Sequence, residues 1–133
     1  MVSTRFVTPA EADFFRVLRA VVGDRCHILA QVSLGRLLFF PGSNATNPGR
    51  ARWWNKVCQR SIDFLLCDPA TLKPLLAIEL DEPSHEAPAR QARDAEVNAL
   101  LRAAGLAVLR IPTGRTYNTR DLAALLLPHI PPQ

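Results

Sequence analysis

A chain of 133 residues, 48% apolar and 21% charged, has the length and balance of one globular domain, which excludes a disordered or fibrous protein. Its formal charge is +4, and fourteen of its sixteen basic residues are arginine, a surface suited to a polyanion. Cys26, Cys58 and Cys67 form no C-x-x-C pair and no even disulfide framework, which argues against a zinc cluster and fits a reducing compartment.

Thr8-Pro9-Ala10-Glu11 is a capping-box pattern with Pro at the first helical position. Phe14, Leu18, Val21 and Val22 follow at helical spacing, so a helix is expected over 9–22, ended by Gly23. A strand is expected over 27–32. Residues 36–40 read as a second short strand, with a helix as the alternative. The breaker-rich run 41–50 predicts a loop, in which the Asn44-Ala45-Thr46 sequon is a coincidence. Residues 51–60 are basic and carry Trp53 and Trp54, but fix no element. Strands are expected over 61–67 and 75–81, joined by a turn that Asp68-Pro69 opens. A helix over 87–104 should bury Val97, Leu100, Leu101 and Ala104 and end at Gly105. A strand over 106–111 precedes a last helix capped by Asn118, with Leu122, Leu125 and Leu126 inward and Pro128 as its stop. The unit 75–81, 87–104, 106–111 predicts a right-handed crossover between parallel strands, and 61–81 an antiparallel hairpin. The fold class is then α/β (α+β), a mixed central sheet flanked by helices.

The charges are unevenly placed. Arg25, Arg36, Arg50, Arg52, Lys56 and Arg60 fall between Asp24 and Asp63 with no acid among them. From Glu79 to Glu86 there are four acids and no Lys or Arg. Basic cover beside a compact acidic cluster suits a protein that draws in a polyanion and holds a cation near it; a solvated surface with chance clustering is the plain alternative.

The hairpin register sharpens this. If 68–74 form the connection, Cys67 lies opposite Leu75, Asp63 opposite Glu79 and Ser61 opposite Asp81. Period-two alternation puts Glu79 and Asp81 on one face. Both faces of the hairpin are apolar, so these are central strands. Like charges opposed on central strands are costly unless a cation or proton lies between them. Oxygen-only ligands favour a hard ion, Mg²⁺ or Mn²⁺.

The stretches RSIDFLLCDPATLKPLLAIELDEPSH and ARQARDAEVNALLRAAGLAVLRIP, with TPAEADFFRVLRA and AQVSLGRLL before them, resemble the domain-of-unknown-function family 2726 of the restriction-endonuclease-like, PD-(D/E)XK superfamily. The resemblance spans about residues 7–127, one domain, with a Pro-rich tail over 128–133. It implies an αβββαβ core, with Asp63 in place of the motif aspartate, Glu79 as the acid before x-Lys, and Glu11 as the glutamate of the first helix. The motif Lys is replaced by Asp81. The very-short-patch repair endonucleases also lack it and are similar in placing a His nearby, which makes His85 the counterpart here.

Each residue also has a plainer role. Glu11 can be only the third residue of a capping box. His85 can be a loop residue rather than a proton carrier at an activated water. Arg90 and Arg93, in the first turns of a helix, can hold phosphate or serve the surface, Arg90 paired with Asp94. Arg110 lies within an apolar strand and must find a partner, a carboxylate before a phosphate. Trp53 and Trp54 among Arg50, Arg52 and Lys56 suggest a stacking surface, although at least one should be core. The thiols, His27 and His129 read as structural.

The expectation is a metal-dependent endonuclease acting on DNA, with RNA left open. Asp63, Glu79, Asp81 and Glu11 would hold Mg²⁺ or Mn²⁺, and His85 would carry a proton. Arg50, Arg52, Lys56, Arg90, Arg93 and Arg110 would contact nucleic acid. The rival is an inactive nuclease-fold domain that binds nucleic acid or protein. No signal-peptide core follows Met1, and no apolar run approaches the roughly 20 residues a bilayer span needs, so a cytoplasmic protein without membrane contact is expected.

Overall fold

A computed structural model describes residues 1–4, 6–39, 48–81, 88–113 and 116–132, except the side chains of residues 89, 90 and 93. The first helix, α1 (Pro9–Val22), begins as the capping box dictates. Glu11 N–H donates to Thr8 Oγ1 and Thr8 N–H donates to Glu11 Oε1, at 3.1 and 3.0 Å. Gly23 ends it at φ 55, a left-handed conformation that costs glycine least. Strand β1 (His27–Ser33) follows.

The next segment departs from expectation. Residues 34–37 form a short helix, α2 (Leu34–Leu37), rather than a strand over 36–40. Ser33 Oγ accepts the Gly35 N–H and caps it, and Leu34 is buried. The expected loop over 41–50 is corrected at its end: residues 48–50 belong to α3 (Pro48–Cys58), which Pro48 opens, and 41–47 lie outside the described residues.

Strands β2 (Ser61–Cys67) and β3 (Pro74–Asp81), helix α4 (Pro88–Ala103), strand β4 (Ala107–Pro112) and helix α5 (Thr119–Leu126) complete the chain. Asn118 Oδ1 caps α5 by accepting the Arg120 and Asp121 N–H groups. Two inward assignments fail. Leu125 is exposed, because Leu122 and Leu126 alone face the core, and Ala104 is exposed at the end of α4.

The sheet order is β1-β2-β3-β4, antiparallel for the first two pairs and parallel for β3–β4. It is a mixed sheet flanked by helices, as expected. On one face Phe14 and Leu18 of α1, with Leu122 and Leu126 of α5, pack on Phe64, Leu66, Leu76 and Ile78. On the other, Val97 and Leu101 of α4 and Val57 of α3 pack on Ile62, Leu65, Ala77 and Val108. Cys26 and Cys67 are buried core residues, and burial pushes both thiols up from their ordinary pKa. Trp53 and Trp54 both pack partly against the second cluster, and Trp53 Nε1 donates to Glu96 at 2.6 Å.

The hairpin count is right in its middle and wrong at its start. Phe64, Leu65 and Leu66 pair with Ile78, Ala77 and Leu76 as expected, but a bulge between Leu66 and Cys67 sets Cys67 opposite Pro74, not Leu75.

Candidate functional site

A double break in alternation builds the acidic end of the sheet. In β1, Ile28 and Ala30 pack toward α1 and α5, whereas Val32 packs toward α4. In β2, Phe64 packs toward α1 and Ile62 toward α4. Both strands change face between the pairs Ala30–Phe64 and Val32–Ile62, the step that holds Gln31 and Asp63. Gln31 makes the turn with φ 55. A left-handed residue other than glycine costs roughly 1–2 kcal/mol, which its contacts must offset. Its Nε2 donates to Glu11 Oε2, and its Oε1 accepts from Ser61 Oγ at 3.1 Å. Glu11 therefore has both oxygens engaged, one by the cap and one by Gln31.

Beyond Phe64–Ile78 the β2–β3 pairing gives out, and the Leu80 N–H donates to Asp63 Oδ2 at 2.8 Å instead. The carboxylate takes the place of a strand partner. Asp63 lies close enough to Glu79 for its charge to act on that carboxyl. Burial pushes the Glu79 carboxyl above its usual range; Arg110 pulls it back, while Asp63 and Asp94 push it further up.

Arg110 is the β4 residue paired with Glu79. Its Nε donates to both oxygens of Asp81, at 2.9 and 3.1 Å, and its Nη2 donates to Asp81 and, at 3.5 Å, to Asp94. Asp94 also accepts from Arg60 Nη2. The hydrogen bonds with Asp81 raise the Arg110 pKa above its ordinary value, against a smaller opposing effect of burial. The expected carboxylate partner of Arg110 is thus Asp81. Charges of alternating sign run from Arg60, just before β2, through Asp94 on α4 and Arg110 on β4 to Asp81 at the end of β3.

These groups wall a cavity of about 640 Å³, within the range of small-ligand pockets. Helix α4 contributes Gln91, Asp94, Asn98 and Arg102, a polar stripe at helical spacing. Asn98 is 6% exposed, and among the described residues its Oδ1 has no hydrogen-bond partner. Sequence reasoning missed Asn98, Gln31 and the bridging of Asp94. Only the α4 stripe left a readable signal, a polar row at i, i+3 and i+7 on a helix that must pack on a sheet.

Of the expected metal ligands, Glu11, Asp63, Glu79 and Asp81 all line this cavity. Among the described residues no three His, Cys, Asp or Glu side chains group as a metal cage. Asp63 and Glu79 neighbour one another, Asp81 is held by Arg110, and Glu11 by Gln31. Arg50, Arg52 and Lys56 are exposed on α3. His85 lies outside the described residues, as do the side chains of Arg90 and Arg93 in the first turns of α4.

Residues 3–129 match a family described as "Protein of unknown function (DUF2726)". The chain belongs to the DUF2726 family. No curated protein and no solved structure matches it. The DUF2726 region runs from before α1 to beyond α5, so every element around the cavity lies inside it. Among the described residues no helix is long and apolar enough to cross a membrane.

Proposed function

We propose that this DUF2726 chain is a metal-dependent endonuclease of the restriction-endonuclease-like, PD-(D/E)XK superfamily that hydrolyses phosphodiester bonds in DNA. The observation that carries the reading is the Asp63–Glu79 pair at the end of central strands, facing a polar cavity. Two hard oxygen donors with the same charge, one of them pushed toward its protonated form by burial, suit Mg²⁺ or Mn²⁺. Bound there, the cation would supply Lewis-acid polarisation of a phosphate oxygen and a more acidic water.

The chain's own groups do the rest. Leu80 N–H holds one oxygen of Asp63 in place beside Glu79. Arg110 places a permanent positive charge beside Glu79, where charge growing on the phosphate needs it, and Asp81 and Asp94 fix its orientation. Arg50, Arg52 and Lys56, with Arg90 and Arg93, draw in the polyanion. His85 is the candidate proton carrier.

One observation supports a second reading, an inactive nuclease-fold domain that binds nucleic acid or protein. Asp81 stands where the superfamily places Lys, and it engages the nearest guanidinium. A plasmid-nicking assay with Mg²⁺ and Mn²⁺ separates the two. The nuclease reading expects nicking in the parent and its near-abolition in Asp63→Ala and Glu79→Ala. Cleavage by Asp81→Lys alone would favour the binding module. No cleavage by either protein, on single- and double-stranded DNA and RNA, would end the nuclease reading.

A further inference from the structure

Arg102 differs from the other cations of the cavity. Arg60 is held by Asp94, and Arg110 by Asp81 and Asp94. Among the described residues the Arg102 side chain makes no hydrogen bond and no ion pair, although carboxylates stand in the same wall. Arg102 lies just over two turns beyond Asp94 on α4, about 12 Å along the helix axis. Helical side chains lean toward the N-terminus, so its guanidinium reaches back over the preceding turn, in the direction of Asp94. The cavity is therefore polarised along α4. Carboxylates crowd the end where Asp94, Arg110 and Glu79 meet, and an unpaired positive charge stands toward the other. That polarity fits a polyanion that brings a cation with it, the acids taking the cation and Arg102 an anionic group further along.

We propose that Arg102 is a substrate-positioning residue, which grips a backbone phosphate neighbouring the bond to be cut and so sets how the strand lies along α4. The proposal rests on the nucleic-acid reading given above and deepens it, because it assigns a contact inside the cavity. Along one strand of duplex DNA the charges recur about every 3.4 Å of axis, so a backbone laid along the cavity brings a second phosphate to Arg102 when the first lies at the acids. The guanidinium fork matches two phosphate oxygens at once. Arg50, Arg52 and Lys56 on α3 differ in role: they line no part of the cavity and act on the approaching polyanion.

The test is fluorescence anisotropy of the full chain with labelled single-stranded and duplex DNA oligonucleotides, over a range of salt, with Ca²⁺ as the hard divalent ion. Melting is measured in parallel. The variants are Arg102→Gln and Arg102→Lys. Arg120→Gln is the control, since it removes an exposed charge from α5, on the opposite face of the sheet. Arg102→Gln should weaken binding about 10-fold at low salt and lower the slope of log K against log salt by about 1, the signature of one lost phosphate contact. Arg102→Lys keeps the charge but not the fork, so it should keep the slope and recover part of the affinity. Both should melt like the parent, because no partner within the protein is lost. Arg102→Gln that binds with the parent's affinity and slope would overturn the inference and leave the nucleic-acid reading standing. A loss no larger than that of Arg120→Gln would overturn it as well, since net charge alone would explain it. Arg102→Gln that melts well below the parent, with binding that Arg102→Lys does not rescue, would make Arg102 only a partner of the α4 helix dipole and would also overturn it. A parent that binds neither oligonucleotide at low salt would sink the nucleic-acid reading itself, and this inference with it.

Discussion

Asp94 is the hinge of the charge row, and its removal should be costly. Its side chain is 16% exposed, and it holds Arg60 and Arg110, each 34% exposed. A hydrogen bond to a charged group contributes about 1.5–3 kcal/mol when shielded. Two such contacts would give up to about 6 kcal/mol, but both guanidinium groups can recover water, and the Arg110 contact is long at 3.5 Å. A loss of about 2–3 kcal/mol is the working figure for Asp94→Ala, between the values for exposed and buried pairs. At about 3–5 °C per kcal/mol for a chain of this size, the mutant should melt roughly 6–15 °C lower in calorimetry. The control is Asp13→Ala. Asp13 pairs with Arg16 in the open, at 74% and 72% exposure, and should cost under about 0.5 kcal/mol. Arg60→Met combined with Asp94→Ala should cost less than the sum of the two alone. If Asp94→Ala melts like Asp13→Ala, the row is a surface arrangement and does not organise the site.

Asp68 should govern part of the acid limb of stability. Its carboxylate accepts the Thr71 and Ala70 N–H groups, at 3.0 and 2.8 Å, which holds its pKa below the usual range. That stabilisation is complete above the unfolded value, near about pH 4, and is lost as pH falls through the lower folded value. Urea unfolding from pH 5 to 2 should therefore show a shallower loss in Asp68→Asn than in the parent; equal slopes would refute this. Gln31→Val should destabilise by about 2 kcal/mol or more, since a β-branched side chain fits a positive φ poorly and the bonds to Glu11 and Ser61 go with it. Gln31→Gly should cost clearly less, and an equal loss in the two would show that backbone conformation is not the issue. Changing Arg50, Arg52 and Lys56 together to Ala should reduce the slope of log K against log salt for duplex DNA by about 2–3. An unchanged slope would remove α3 from the nucleic-acid interface.

What could be read from the sequence was local. The Thr8–Glu11 box, the stops at Gly23 and Gly105 and the Asn118 cap each act within a few residues, and each element formed where these signals placed it. The segment 34–40 is ambiguous in sequence because a short apolar run carries no decisive period; the Ser33 cap and burial of Leu34 make 34–37 a helix. The hairpin count held for Phe64, Leu65 and Leu66 although the pair it started from was wrong, because the bulge lies on the far side of Leu66. The partners of Arg110 depended on contacts 16 and 29 residues away, which no window can see. Gln31 in a left-handed conformation was invisible for the opposite reason, since glutamine gives no local sign of positive φ.

Gln31 has a consequence far from any reaction. β1 and β4 are the outer strands of the sheet, and an outer strand offers a row of open N–H and C=O groups to any passing chain. On β1 that row is divided at Gln31, so the groups before and after it point along different directions and no straight second strand can meet both. The β4 border ends at Pro112, which has no N–H to offer. The residue that turns the acids out of the sheet also spoils the border as a template for fibre growth, and a chain with a regular β1 would be the one to polymerise when crowded.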